Sequence, residues 1–351
     1  MAIMKYYDEV PYNFLLIRFV VTRYCNFRCP YCYLTDEKRG QQKTVFSHHS
    51  PDEWINAIDI FKDRYLELYF TGGEPLLFDE FIYFLKKILD KEFIHSVRID
   101  SNLSRLEKFL KEINNPKVKF LASFHPTQVS FDKFIDKTGL LKENDMLALI
   151  NLVVSRENMK ILNKTPHELA RYFEDRGIFL NIAKDFERGL KYGYDDKYKE
   201  YIDKLQYPID NIYMNMQNLH RGVFCGGGKH YISVSRHGTI YSCDGKEHGN
   251  IFGRPDLPKN LITCNMPYCP SIVSYSFSTS NDFSPVEHLH DYVKRNKTYR
   301  NNLDKYYLDS LWQHIQDNDL IPNEKNSSAN INKTFIDKFR SSIIRKLKTL
   351  S

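Results

Sequence analysis

Residues 14–32 read Phe-Leu-Leu-Ile-Arg-Phe-Val-Val-Thr-Arg-Tyr-Cys-Asn-Phe-Arg-Cys-Pro-Tyr-Cys, an apolar run that breaks directly into a loop holding Cys25, Cys29 and Cys32. The run Phe14–Thr22 is short and carries Arg18. It fits a buried strand, because a bilayer span needs about 18 to 20 apolar residues. Outward from it the same unit recurs. Ser50-Pro-Asp-Glu53 combines a capping box with proline at the first helical position. Strand patterns over 65–70, 96–100, 118–123, 147–154 and 178–183 then alternate with helical patterns over 79–89, 103–113, 130–141 and 166–176. Alternation at this spacing implies parallel strands joined by helical crossovers. The expected class is α/β, a partial (β/α)6 barrel, or an open α/β sheet, with function at the C-terminal ends of the strands.

The pattern changes after residue 185. One helix is expected over 195–205, and residues 230–235 and 239–242 flank Arg236-His-Gly238 as a small hairpin. The expected division is a core barrel over 1–190, a connecting segment over 191–224 and an auxiliary domain over 225–280. C-terminal helices over 281–317, a polar linker over 318–332 and a basic amphipathic helix over 333–351 complete it. His48 and His49, just before a helix, are expected at the surface.

Composition narrows the function. The chain has 351 residues, 42 % hydrophobic and 27 % charged, an ordinary soluble balance. The N-terminus lacks the basic and apolar regions of a secretion signal, so a cytoplasmic location is expected. Of the net charge of +6, most sits in residues 333–351, which hold six basic residues and one acid. The main body is near neutrality and a nucleic-acid role gains nothing from the basic pI.

Seven cysteines, an odd number without a secretion signal, argue against a disulfide framework. Three lie within eight residues; Cys225, Cys243, Cys264 and Cys269 lie together much later. Two separate metal sites would look like this. Thiolates spaced C-x3-C-x2-C can hold one face of an iron–sulfur cubane and leave one iron open for a cofactor. The same residues also suit a zinc knuckle lacking its fourth ligand, or three buried thiols. The second strand pattern runs into Thr71-Gly72-Gly73-Glu74-Pro75, where paired glycines permit close backbone approach to a ligand and Glu74 can accept from an amine.

With these two motifs at successive strand ends, residues 12–190 resemble the radical S-adenosylmethionine (SAM) superfamily. The resemblance implies that Cys25, Cys29 and Cys32 hold a 4Fe-4S cluster whose open iron chelates SAM. It implies reductive cleavage of SAM to a 5′-deoxyadenosyl radical that abstracts hydrogen from a substrate, with an electron donor such as flavodoxin or ferredoxin. Tyr31 matches the aromatic position near the adenine, and Gly72, Gly73 and Glu74 the motif that holds the methionyl amine. Asp100, Ser101 and Asn102, then Ser123 and His125, stand where the family places ribose and carboxylate contacts. Each could instead cap a turn, as could Ser155. Lys184 and Asp185 are candidate substrate contacts.

The run Cys225-x12-Gly238-x4-Cys243, with Cys264 and Cys269, resembles the auxiliary-cluster extension called SPASM or twitch, in its one-cluster form. Four thiolates saturate a second 4Fe-4S cluster, which can then only move electrons; a structural zinc site is the alternative. A closed electron acceptor favours net oxidation of the substrate. About a dozen residues precede the first strand, which tips the expected substrate toward a small polar molecule such as a carbohydrate, with a ribosomally made peptide as the alternative. A non-catalytic iron–sulfur binding or assembly protein is the reading from another class. In the tail, Ile336, Phe339, Ile343, Leu347 and Leu350 recur at helical spacing among basic residues. That suits either packing on its own domain or a peripheral contact with an anionic membrane.

Overall fold

The β-branched and aromatic run that follows residue 14 forms β1 (Leu15–Thr22), flanked on one side by β2 (Leu66–Gly72). The computed structural model describes residues 15–32, 46, 48–164, 166–178, 180–184, 224–225, 227–259 and 262–263. The expected helix 195–205, the regions 281–317 and 318–332, and the tail 333–351 lie outside them.

Crossover helices join the strands in sequence order. They are α1 (Pro51–Ile58), α2 (Asp79–Leu89), α3 (Leu106–Glu112), α4 (Phe131–Glu143), α5 (Arg156–Leu162) and α6 (Pro166–Glu174). The strands are β3 (Ile94–Ser101), β4 (Val118–Phe124), β5 (Leu147–Val154) and β6 (Leu180–Lys184). All five successive pairs from β1 to β6 are parallel. This is an α/β fold on a parallel sheet. Helix α5 was not expected; Ser155 starts it as N-cap by accepting from the Asn158 N–H.

Alternation along the strands sorts two chemistries. Leu15, Ile17, Phe19, Leu66, Leu68, Phe70, Val97 and Ile99 share one apolar cluster with Phe81, Phe84, Leu85 and Ile88 of α2. Arg18, Tyr69 and Arg98 are register neighbours on the other face, as are Glu67 and Ser96. Glu67 and Arg98 are buried there as an ion pair. A buried pair of this kind is costly to break from one side, about 3–5 kcal/mol.

Later strands β8 (Tyr231–Val234), β9 (Thr239–Tyr241) and β10 (Glu247–Asn250) form the expected hairpin and one more strand. They do not stand apart from the sheet. β8 pairs in parallel with β1, giving nine strands in the order β10-β9-β8-β1-β2-β3-β4-β5-β6. Strands β8 to β10 are therefore continuous with the core sheet. The reason is that β1 would otherwise leave an unpaired edge. The short β7 (Phe224–Cys225) pairs separately with β11 (Ile262–Thr263). His48 is exposed and stacks on His237; half-buried His49 lays its ring on Phe252, at 3.6 Å between centroids. Trp54 of α1 packs on the same Phe252, so apolar area and ring contacts dock the hairpin.

Candidate functional site

Because the strands are parallel, the ends of β1 to β4 share one edge of the sheet, and the chain loads that edge with polar residues. The loop after β1 brings Cys25, Cys29 and Cys32 there. Cys29 is buried; Cys25 and Cys32 are partly exposed. The loop is tied down from two other strand ends. Gln128, beyond β4, accepts from the Arg28 N–H at 3.2 Å and donates to the Arg28 carbonyl at 3.4 Å. Asn102, beyond β3, donates to Asn26 Oδ1 at 3.1 Å and to Cys25 Sγ at 3.6 Å.

Tyr31 and His125 form a third tie. Burial, and then the nearby Cys29 charge, push the Tyr31 phenol up, so its hydroxyl stays a donor. Burial pushes His125 down to about 4, so the imidazole is neutral at pH 7. Tyr31 Oη and His125 Nδ1 share a hydrogen bond at 2.9 Å, and the two rings stack.

The glycines answer to the protein's own backbone. A Cβ on Gly72 would stand 2.2 Å from the Thr22 carbonyl oxygen, and one on Gly73 2.0 Å from that of Tyr24. The Gly73 and Glu74 N–H groups donate to those same carbonyls at 2.8 Å. This close approach is between β2 and the extension of β1. Glu74 is fully buried and accepts from Leu76 N, Ser101 Oγ and Asn102 N, at 3.1, 2.9 and 2.7 Å. Burial raises its carboxyl to about 7, with those bonds pulling the other way. An amine would meet a carboxylate already braced from β3.

Asp100 sits inside β3 and accepts from Tyr69 and Thr71 through one oxygen. Burial raises it, while the hydroxyl bonds and Arg18 act against that rise. Ser123 lies on β4 in register with Asn151 of β5. Lys184 ends β6; Asp185 lies outside the described residues. Sequence reasoning missed Gln128, Asn26, Tyr69 and Thr71, and no spacing signal could have found Gln128, a hundred residues from its partner.

Of the second cysteine group, Cys225 lies on β7, whose partner β11 ends at Thr263, immediately before Cys264 in sequence. Cys264 and Cys269 lie outside the described residues. Cys243 sits in a turn held by Ser242, whose hydroxyl donates to Asp244 and contacts buried His248 at 3.0 Å. Gly238 has φ +82, and a Cβ there would enter the Phe252 ring at 2.6 Å.

Among the described residues, no three His, Cys, Asp or Glu side chains close around one point. Metal ligands commonly assemble only with their metal. The chemistry of the first loop nevertheless suits a thiolate-held cluster, since two N–H donors, from Phe27 at 3.4 Å and from Asn102, face Cys25 Sγ.

Residues 19–142 match the family model for the radical SAM superfamily. Radical SAM cyclopropyl synthase TigE from Paramaledivibacter caminithermalis is 24 % identical over 311 residues, covering 76 % of this chain and 64 % of its own. GTP 3′,8-cyclase from Campylobacter curvus is 27 % identical over 222 residues, covering 54 % and 63 %. The chain thus spans less than two thirds of the length of these relatives. The solved structure of SuiB from Streptococcus suis bound to precursor peptide SuiA is 15 % identical, with a TM-score of 0.49 over 72 % of this chain and 66 % of that one. Among the described residues no helix is long and apolar enough to cross a membrane.

Proposed function

We propose that this chain is a radical SAM enzyme in which Cys25, Cys29 and Cys32 hold a 4Fe-4S cluster. The observation that carries the reading is the clamped cysteine loop, set beside a buried carboxylate at the edge shared by β1 to β4. When bound, the cluster and SAM supply an electron and a 5′-deoxyadenosyl radical able to abstract hydrogen from a substrate. The chain's own contribution is positional. Gln128 and Asn102 fix the loop against two strands, Glu74 presents a braced acceptor for the methionyl amine, and Tyr31 with His125 offers an aromatic wall for the adenine. The polar face of the sheet, with Arg18, Tyr69, Thr71 and Asp100, suits a polar substrate.

Cys225, Cys243, Cys264 and Cys269 would hold a second 4Fe-4S cluster of the twitch type, an electron acceptor that makes the overall reaction an oxidation. Pairing of β7 with β11 supports this reading, because it draws Cys225 to the strand that leads into Cys264. The preferred substrate is a small polar molecule such as a carbohydrate, dehydrogenated by the enzyme. Similarity to a cyclopropyl synthase favours one second reading, oxidative bond formation, and a ribosomally made peptide is the alternative substrate. A flavodoxin or ferredoxin would deliver the electron in the cytoplasm, and the basic tail would rest on an anionic membrane. The test is anaerobic incubation of the reduced, iron-loaded chain with SAM. Formation of 5′-deoxyadenosine supports the enzyme; an iron-loaded chain that forms none is a binding or assembly protein instead.

A further inference from the structure

Asn102 uses its backbone N–H and both polar atoms of its side chain. Its backbone N–H goes to Glu74, its Oδ1 accepts from the Ser104 N–H at 2.9 Å, and the two hydrogens of Nδ2 go to Asn26 Oδ1 and Cys25 Sγ. Because Oδ1 must face the Ser104 N–H, the amide cannot be turned over, and Nδ2 is left to face the sulfur. The residue is only 6 % exposed. The next residue, Leu103, is held at φ +59, a left-handed conformation that a leucine enters only at a cost. Ser101 Oγ, accepting from the Leu103 N–H, and Lys137, donating to its carbonyl, keep it there. The strain sits where the chain must aim Asn102 across at the loop after β1.

A hydrogen bond to a cluster sulfur favours the reduced, more negative state and so raises the reduction potential. We propose that Asn102 is a positioning residue for Cys25, its side-chain amide donating to the Cys25 sulfur and raising the potential of the cluster held there. This rests on the function proposed above. The backbone N–H to Glu74 survives substitution, so side-chain variants isolate the sulfur contact.

The test is a redox titration of the anaerobically reconstituted full chain, following the electron paramagnetic resonance (EPR) signal that changes on adding SAM. Asn102→Ala should shift the one-electron equilibrium toward the oxidised state about tenfold, which is about 59 mV. Asn102→Asp, which keeps the Ser104 bond but replaces the donor by an acceptor, should shift it further. Asn26→Ala, which leaves the sulfur contact in place, should shift it by less than half as much. Both Asn102 variants with full iron and unchanged midpoints would overturn the proposal. So would loss of iron from both in a chain of unchanged circular dichroism, since Asn102 would then merely hold the loop. Should the variants fail to fold, chain labelled with 15N-asparagine in the Asn26→Ala background decides: pulsed EPR of the reduced cluster should detect the Asn102 nitrogen, and its absence would overturn the contact. A wild-type chain with no SAM-responsive signal defeats the proposed function as well, and is distinct from a SAM-responsive signal with no shift.

Discussion

The two cysteine regions are built on opposite principles. Around Cys25, Cys29 and Cys32 the ligands are local, eight residues of one loop, and the supports are distant, from β3 and β4. Around Cys243 the supports are local, Ser242, Asp244 and His248 within seven residues, while the companion cysteines come from distant segments. A local ligand set costs little chain entropy to gather but needs outside braces to hold its shape. A dispersed set depends on strand pairing to be gathered at all. The first is thus expected to survive changes elsewhere, and the second to be lost when its hairpin loosens.

The largest expected effect separates the two outright. Replacing Cys25, Cys29 and Cys32 together with alanine should abolish SAM cleavage and leave about four irons per chain on the second group, measured by iron assay. Iron falling to zero would show that the second region holds no cluster of its own.

Cys243→Ala should remove substrate turnover while sparing uncoupled SAM cleavage, once a substrate is in hand; equal loss of both in a folded chain would end the electron-acceptor role. Gly73→Ala should strain the joint between β1 and β2, since its Cβ cannot fit beside the Tyr24 carbonyl. Overpacking of this kind destabilises by about 1–3 kcal/mol or more, readable by chemical denaturation. His248→Ala should cost about 1–3 kcal/mol by removing the buried ring's contacts with the Ser242 hydroxyl and the Asp256 carbonyl, and should lower iron on the second group only.

Glu74 gives the smallest, pH-dependent effect. Its folded carboxyl, raised to about 7 by burial, binds a proton that the unfolded chain has released above about 4.5. Its contribution is therefore full below that value and lost as the pH rises through 7. Glu74→Gln should flatten the fall in stability across that window, and an unchanged pH profile would place the Glu74 proton elsewhere.

The sequence by itself determined what is periodic or contiguous. The strand–helix alternation, the capping box at Ser50, the limits of α2 and β5, the cysteine spacing and the glycine pair at the end of β2 are all fixed by neighbours in the chain. Period, propensity and capping act over a few residues, so they can be read without a structure. Tertiary structure alone decided that β8 completes the edge of β1, that the glycines fit the backbone of Thr22 and Tyr24, and that Glu74 is braced by Ser101 and Asn102. Gln128 meets Arg28, and Asn102 meets Cys25, because parallel pairing lines up strand ends that lie 77 to 100 residues apart. No local property of the chain encodes that meeting; it arises only when the shared apolar face of the strands packs against the helices and sets their register.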